Sequence, residues 1–289
     1  MKKYKLGIAF SGGGAKGAAH CGAIQALEEF GIKADVVAGT SAGSIVASLY
    51  ASGVSPIDMC NMFGKMEFKD LLGIRVPRAG LFSSKPLVEH IAKIVPYKNI
   101  EDTPIPLYVV ACNLDKGKVT VFNKGELAPR VAASCSIPIV FYPMIINGVH
   151  YVDGGVFQNL PVSSIREKCE KVIGISVHHA KEMKFENNMI AYAIRSFYLM
   201  FISNTLEDAA MSDMFVELDT TAYNSFDLSN IEELFNIGYN TTVKKLEEAG
   251  YQRVKPKEQL TFIHQETKSQ LIQKQIKEHI IKRKEGNNA

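Results

Sequence analysis

The stretch Ala34-Asp35-Val36-Val37-Ala38-Gly39-Thr40-Ser41-Ala42-Gly43-Ser44-Ile45-Val46-Ala47 decides the fold. Ala34 to Ala38 is a short apolar run, the size of a buried strand. Ser44 to Ala51 is small and apolar and stops before Gly53, as a buried helix does. Between them lies Gly39-Thr40-Ser41-Ala42-Gly43, a Gly-x-Ser-x-Gly sequence. A sharp strand-to-helix turn of this kind exposes a serine hydroxyl, and only very small flanking residues let strand and helix approach so closely. The helix amino terminus adds backbone N–H groups and a positive dipole end beside the hydroxyl. The same five residues also fit a tight βα turn that happens to contain serine, so the rest of the chain must decide.

Upstream, Tyr4 to Phe10 reads as a buried strand and Ala18 to Phe30 as a helix closed by Gly31. They are joined by Ser11-Gly12-Gly13-Gly14-Ala15-Lys16-Gly17, whose glycines leave backbone N–H groups unobstructed, a concavity suited to an anion. Gly12-x-Gly14-x-x-Gly17 matches a dinucleotide fingerprint, but that site wants an acid at the end of the second strand, and Asp35 stands at its start. A P-loop fails because Gly17 and Ala18 follow Lys16 where Ser or Thr would be required. The third reading is an oxyanion hole, which needs two or three fixed N–H donors. Adjacent parallel strands would bring this loop and Ser41 to one sheet edge, where α/β proteins keep their sites.

Composition narrows the class. The chain has 289 residues, 46% apolar and 22% charged, enough for a substantial core. A net charge of +3 gives no case for nucleic acid. Cys21, Cys60, Cys112, Cys135 and Cys169 are scattered without metal-ligand spacing, as buried free thiols in a reducing compartment would be. Residues 1–10 lack the long apolar stretch of a signal peptide, and no run approaches the ~20 apolar residues of a membrane span. The expectation is a cytoplasmic protein, at most peripheral to a membrane.

Further along, helices are expected over Ser55 to Met66 and Ser84 to Val95. Residues 67–83 between them are apolar but poorly periodic, either a lid or a loop packed on the core. Leu107 to Asn113 and Lys118 to Phe122 form a hairpin through Asp115 and Gly117. Leu127 to Ala133 is a short helix. Gly148 to Gly155 sets Asp153 at the end of an apolar strand before Gly154-Gly155, as a turn residue or as a carboxylate delivered to the active edge.

Together these residues resemble the bacterial patatin-like phospholipase family of Ser–Asp lipid acyl hydrolases. The matches are Gly12-Gly13-Gly14-Ala15-Lys16-Gly17, Gly39-Thr40-Ser41-Ala42-Gly43, Asp153-Gly154-Gly155, and Ala133-Ser134-Cys135-Ser136-Ile137-Pro138 for the family's Ala-Ser-x-x-x-Pro block. Four motifs in order over residues 7–155 make the likeness specific. Lys16 stands where the family often has Arg, which keeps the charge but not the planar fork. The resemblance implies a three-layer α/β/α fold around a central, mostly parallel sheet. It implies a Ser41–Asp153 catalytic dyad, an oxyanion hole at Gly12, Gly13 and Gly14, and no metal or cofactor. A phospholipid, lysophospholipid or other lipid ester is the implied substrate. An alternative keeps the serine and changes the base. Ser41, Asp153 and His178, in the pair His178-His179 after a strand over Lys171 to Val177, follow the Ser, acid, His order of α/β-hydrolases. A lipid-binding protein on the same fold is the non-catalytic alternative.

A long helix is expected within Asn187 to Met214, a last strand at Phe215 to Leu218, and a helix over Ser229 to Ala249. The domain is expected to span residues 1–255, followed by a charged helical tail, residues 256–289, ending in a basic cluster at Lys282-Arg283-Lys284.

Overall fold

The computed structural model describes residues 2–64, 73–74, 82–178, 188–256 and 262. In chain order the strands are β1 (Tyr4–Phe10), β2 (Val36–Thr40), β3 (Gly73–Ile74), β4 (Phe82–Ser83), β5 (Leu107–Asn113), β6 (Lys118–Phe122), β7 (Met144–Ile146), β8 (Val149–Asp153), β9 (Cys169–Ser176) and β10 (Met214–Glu217). The helices are α1 (Ala18–Glu29), α2 (Ala42–Ala51), α3 (Pro56–Gly64), α4 (Lys85–Ile94), α5 (Leu127–Ser134), α6 (Ser163–Arg166), α7 (Met189–Ala210) and α8 (Ile231–Glu248).

Strands β10, β9, β1, β2 and β5 lie side by side and parallel. Parallel strands covered on both faces read as continuous apolar runs. Ile8, Phe10, Val37, Val109, Ile173 and Ile175 face one core, shared with α1, α2, α3 and α8. Ala9, Val36, Ala38 and Val172 face the other, against Ile165 of α6 and Ala209 of α7. The result is the three-layer α/β/α arrangement with a mostly parallel sheet. β2 begins two residues later than the apolar run suggests. The Asp35 carboxylate is spent on the backbone N–H groups of Lys5 and Leu6, at 3.0 and 2.9 Å.

The antiparallel end of the sheet positions the site. β5 pairs with β2 through Val37–Thr40 against Leu107–Val110, and with β8 through Asp153, Val152 and Tyr151 against Ala111, Cys112 and Asn113. β6 pairs antiparallel with β5 from Val109 to Asn113, overlapping both registers, so it occupies the opposite edge. β2 and β8 therefore share one edge of β5 and meet end to end. Thr40 lies opposite Val110, and Asp153 lies opposite the next residue, Ala111. Gly154 permits this close approach: a Cβ there would fall 2.4 Å from the Val110 oxygen and 3.1 Å from Thr40 Cγ2.

α7 lies within the stretch Asn187 to Met214 where a long helix is expected, and Met214 starts β10. On α7, Tyr192, Leu199 and Leu206 are exposed, while Phe201 packs against Gly155. The lid-or-loop segment, apart from residues 73–74 and 82–83, and the tail beyond residue 256, apart from Phe262, lie outside the described residues. Phe262 stacks edge-on against Phe235 of α8, with ring centroids 5.3 Å apart.

Candidate active site

Ser41 sits in the turn from β2 to α2 with φ 52°, a left-handed conformation that a residue with a Cβ adopts only under strain. Both glycines of the motif have a packing reason. A Cβ on Gly39 would lie 2.3 Å from the Gly43 oxygen, and one on Gly43 would lie 2.3 Å from the Phe10 oxygen. The turn is held by three side-chain bonds. The Ser41 N–H donates to Ser134 Oγ at 2.8 Å, the Ser44 hydroxyl donates to the Ser41 carbonyl at 2.6 Å, and the Thr40 hydroxyl donates to the Gln158 carbonyl at 2.9 Å.

The glycine loop lies beside this turn, since β1 and β2 are adjacent and parallel. A Cβ on Gly12 would stand 3.0 Å from Ser41 Cβ and 2.6 Å from Asn159 Oδ1. The Gly12 N–H is engaged, donating to the Asn159 carbonyl at 3.1 Å, and the Ala15 N–H donates to the Ser225 carbonyl at 2.8 Å. The N–H groups of Gly13 and Gly14, between these two tethers, have no partner among the described residues.

Asp153 is fully buried at the end of β8. Its own N–H donates to the Ser136 carbonyl at 2.9 Å, and its Oδ1 accepts from the Gly155 N–H at 2.8 Å. Its Oδ2 makes no hydrogen bond among the described residues. Burial raises the carboxyl to about 7, against the opposing influence of the Ser41 hydroxyl and the Gly155 N–H, which favour the charged form. The hydroxyl is thus near enough to act on the carboxyl although Oδ2 is not bonded. The value lies well above the ~4 of an unperturbed aspartate, because burial penalises the charged form.

His178 stands against the glycine loop, 3.5 Å from where a Cβ on Gly13 would lie. It is buried just after β9 and is held at about 3, chiefly by burial and then by the nearby Lys16 charge. Its Nδ1 lies 3.4 Å from Asn159 Nδ2, its ring also meets the Gly12 backbone, and Tyr198 and Phe201 of α7 pack around it. These contacts belong to the support of the glycine loop. His179 lies outside the described residues.

A family model described as patatin-like phospholipase matches residues 8–165, more than half of the chain. The chain belongs to the patatin-like phospholipase family. Lysophospholipase NTE1 of Saccharomyces cerevisiae is 27% identical over 81% of this chain and 16% of its own length. An uncharacterised NTE family protein of Mycobacterium tuberculosis is 33% identical over 56% of this chain and 45% of its own length. The chain therefore spans less than half of these relatives. The structure of VipD from Legionella pneumophila superposes with a TM-score of 0.48 at 17% identity, over 85% of this chain and 67% of that one.

Beside Ser41 in this patatin-like domain lies a cavity of about 70 Å³, lined by Ile45, Phe63, Leu87, Ile137, Phe141 and Leu228. Its walls are apolar where they leave the serine. Cys135 also borders it, with a thiol pushed well up by burial and by the Asp153 charge, so that it stays protonated. The Ala133-to-Pro138 block was recognisable in sequence, but its contacts were not: Ser134 holds the backbone of Ser41, and Ser136 holds that of Asp153. Asn159 carried no signal, because its partners Gly12, Asn204 and Thr205 are distant in the chain. Among the described residues no group of His, Cys, Asp and Glu could hold a metal ion, and no helix is long and apolar enough to cross a membrane.

Proposed function

We propose that this chain hydrolyses carboxylic esters of lipids, phospholipid or lysophospholipid, through an acyl-enzyme on Ser41, with Asp153 as the only general base. The observation that carries this reading is the end-to-end meeting of β2 and β8 on β5, which sets a buried carboxylate with an unbonded Oδ2 beside a strained serine. Ser41 Oγ attacks the ester carbonyl while its proton passes to Asp153. The tetrahedral oxygen is held by N–H groups of the glycine loop. Gly13 and Gly14 supply the donors, and Gly12, whose N–H is engaged, supplies the space and the anchor. When the intermediate collapses, Asp153 returns the proton to the departing alcohol oxygen. It then takes a proton from water, whose oxygen attacks the acyl carbonyl, and Ser41 recovers its proton as the fatty acid leaves.

A carboxyl poised at about 7 suits this work, because a base near the operating pH is both available and strong enough. The apolar cavity favours an acyl chain, and the yeast relative's name, lysophospholipase, agrees with that chemistry. The test is covalent labelling with an alkyl fluorophosphonate beside release of p-nitrophenol from acyl esters, for wild type and Ser41→Ala. Ser41 should carry the label, and the variant should lose turnover. No label ends the reading in favour of a lipid-binding protein, and a label on another serine removes Ser41 as the nucleophile.

A further inference from the structure

The Ala133-to-Pro138 block has no part in the chemistry just described, yet it touches both reacting residues. Ser134, the last residue of α5, is fully buried. Its hydroxyl accepts the Ser41 N–H at 2.8 Å and donates to the Val110 carbonyl at 2.6 Å. Val110 is the β5 partner of Thr40, at the last step of the β2–β5 ladder. The side chain therefore stands where the ladder ends: the nucleophile's backbone turns away from β5, and one hydroxyl spans the gap. Two residues on, the Ser136 carbonyl receives the Asp153 N–H at 2.9 Å. One turn thus grips the serine by its N–H and the aspartate by its N–H.

We infer that Ser134 is a positioning residue for the reaction: its hydroxyl bridge between Ser41 and Val110 holds the nucleophile in its left-handed conformation and, with the Ser136 carbonyl, sets the spacing from Ser41 Oγ to Asp153 Oδ2. The inference rests on Ser41 as nucleophile. Ser134 touches neither substrate nor the transferred proton. It fixes the angle from which Oγ attacks, a quantity to which acyl transfer is sensitive, since a displacement of about 1 Å can cost roughly 100-fold in rate. Its place at the end of a helix that packs on the core gives the bridge a rigid mount, because Leu127, Val131 and Ala132 of α5 are all buried.

The experiment uses the full chain and a soluble p-nitrophenyl ester, with active sites counted by exhaustive fluorophosphonate labelling, so that each rate refers to folded, competent protein. Ser134→Ala should lower kcat per labelled site by roughly 10- to 100-fold and leave KM within about threefold, the signature of a group acting after substrate is bound. The acid limb of the pH profile should stay within about one unit of wild type, because burial, the largest influence on Asp153, is unchanged, and any shift should be upward as the Ser41 hydroxyl moves off. Ser48→Ala is the control. It removes an equally buried hydroxyl, bonded within α2 to the Ser44 carbonyl at 2.6 Å, and should leave kcat per site unchanged. If Ser134→Ala is recovered unfolded, Ser134→Cys takes its place, with a thiol that weakens both bonds and should cost at least about fivefold in kcat per site. A kcat per site equal to wild type in the folded variant, or an equal loss in Ser48→Ala, overturns the positioning role while Ser41 remains the nucleophile. Failure of wild-type Ser41 to take the label overturns both.

Discussion

Asp153 at the end of β8 and His178 just after β9 are both buried, and burial drives their titrations in opposite directions. A low-dielectric setting penalises whichever form is charged. The carboxyl is lifted to about 7 and the imidazole is lowered to about 3. At neutral pH the aspartate is therefore poised between its two states, while the histidine is neutral and a poor proton acceptor. Their bonding follows the same division. Asp153 has one oxygen tied to Gly155 and the other without a hydrogen bond among the described residues, whereas the His178 ring is engaged with Asn159 and the Gly12 backbone. In the proposed reaction the residue that the usual serine, acid, histidine order would nominate as base instead contacts the glycine loop, and the raised carboxyl of Asp153 takes the part of the base.

The largest expected effect tests that division directly. Asp153→Asn keeps the shape and removes the basic oxygen, and should cost at least roughly 100-fold in turnover of a soluble ester. His178→Ala removes support from the glycine loop and should cost less than about 10-fold. The pH profile adds a reversal of the usual assignment. In kcat/KM, an acid limb near 7 belongs to Asp153 here, since the histidine would titrate near 3. His178→Ala should leave that limb in place. Equal losses in the two variants would make His178 the base and Asp153 its orienting acid.

Stability offers a second, smaller test, with a definite sign. Asp153 titrates at about 7 when folded and near 4 when unfolded, so the folded protein holds the extra proton between these values. Its contribution is most favourable below pH 4, is lost as pH rises through the folded value, and is flat above it. Removing the charge by Asp153→Asn should therefore stabilise the fold at pH 8 relative to pH 4 by up to about 4 kcal/mol. His178 acts in the opposite sense: its folded value lies below the unfolded one, so acid costs stability progressively below about 6.5. That loss is common to wild type and Asp153→Asn, and cancels in the difference between their urea midpoints. Equal midpoint differences at the two pH values would mean that Asp153 carries no desolvation cost, and its suitability as a base at neutral pH would fall with it.

The two regions also differ in how far they could be read from sequence. β1, β2 and the serine turn are legible because parallel strands covered on both faces give unbroken apolar runs, and because Gly39 and Gly43 mark backbone contacts that no side chain would allow. The carboxylate edge is less legible. β7 is three residues long, too short for periodicity, and the meeting of β8 with the end of β2 depends on the register of both against β5. Asp153-Gly154-Gly155 showed where a strand ends, not what lies opposite it. The engagement of the Gly12 N–H by Asn159, and the bridge from Ser134 to Ser41, join residues far apart in the chain. Local pattern carries no trace of such pairs.

The smallest expected effect concerns a third histidine, which sharpens the comparison because it resembles the acid–histidine half of a triad. His150 Nδ1 lies 3.0 Å from Asp115 Oδ1, the shortest approach of a histidine to a carboxylate among the described residues. Distance alone would favour it over His178. Its location does not. Asp115 is in the turn after β5, and His150 is three residues before Asp153 on β8, about 10 Å away at the rise of an extended strand. Both side chains are nearly half exposed, at 46% and 45%, so water screens the pair. The His150 N–H also donates to Asp115 Oδ2 at 2.9 Å, a backbone bond that holds the turn whatever side chain is present, and this is the first cause that keeps the Asp115 carboxyl below its ordinary value. His150→Ala should therefore leave kcat and the acid limb unchanged and move the melting temperature by less than about 2 °C. A large loss of turnover in a variant of unchanged stability would place the proton acceptor at this exposed pair, and the contrast between a buried carboxylate base and a buried structural histidine would no longer describe the site.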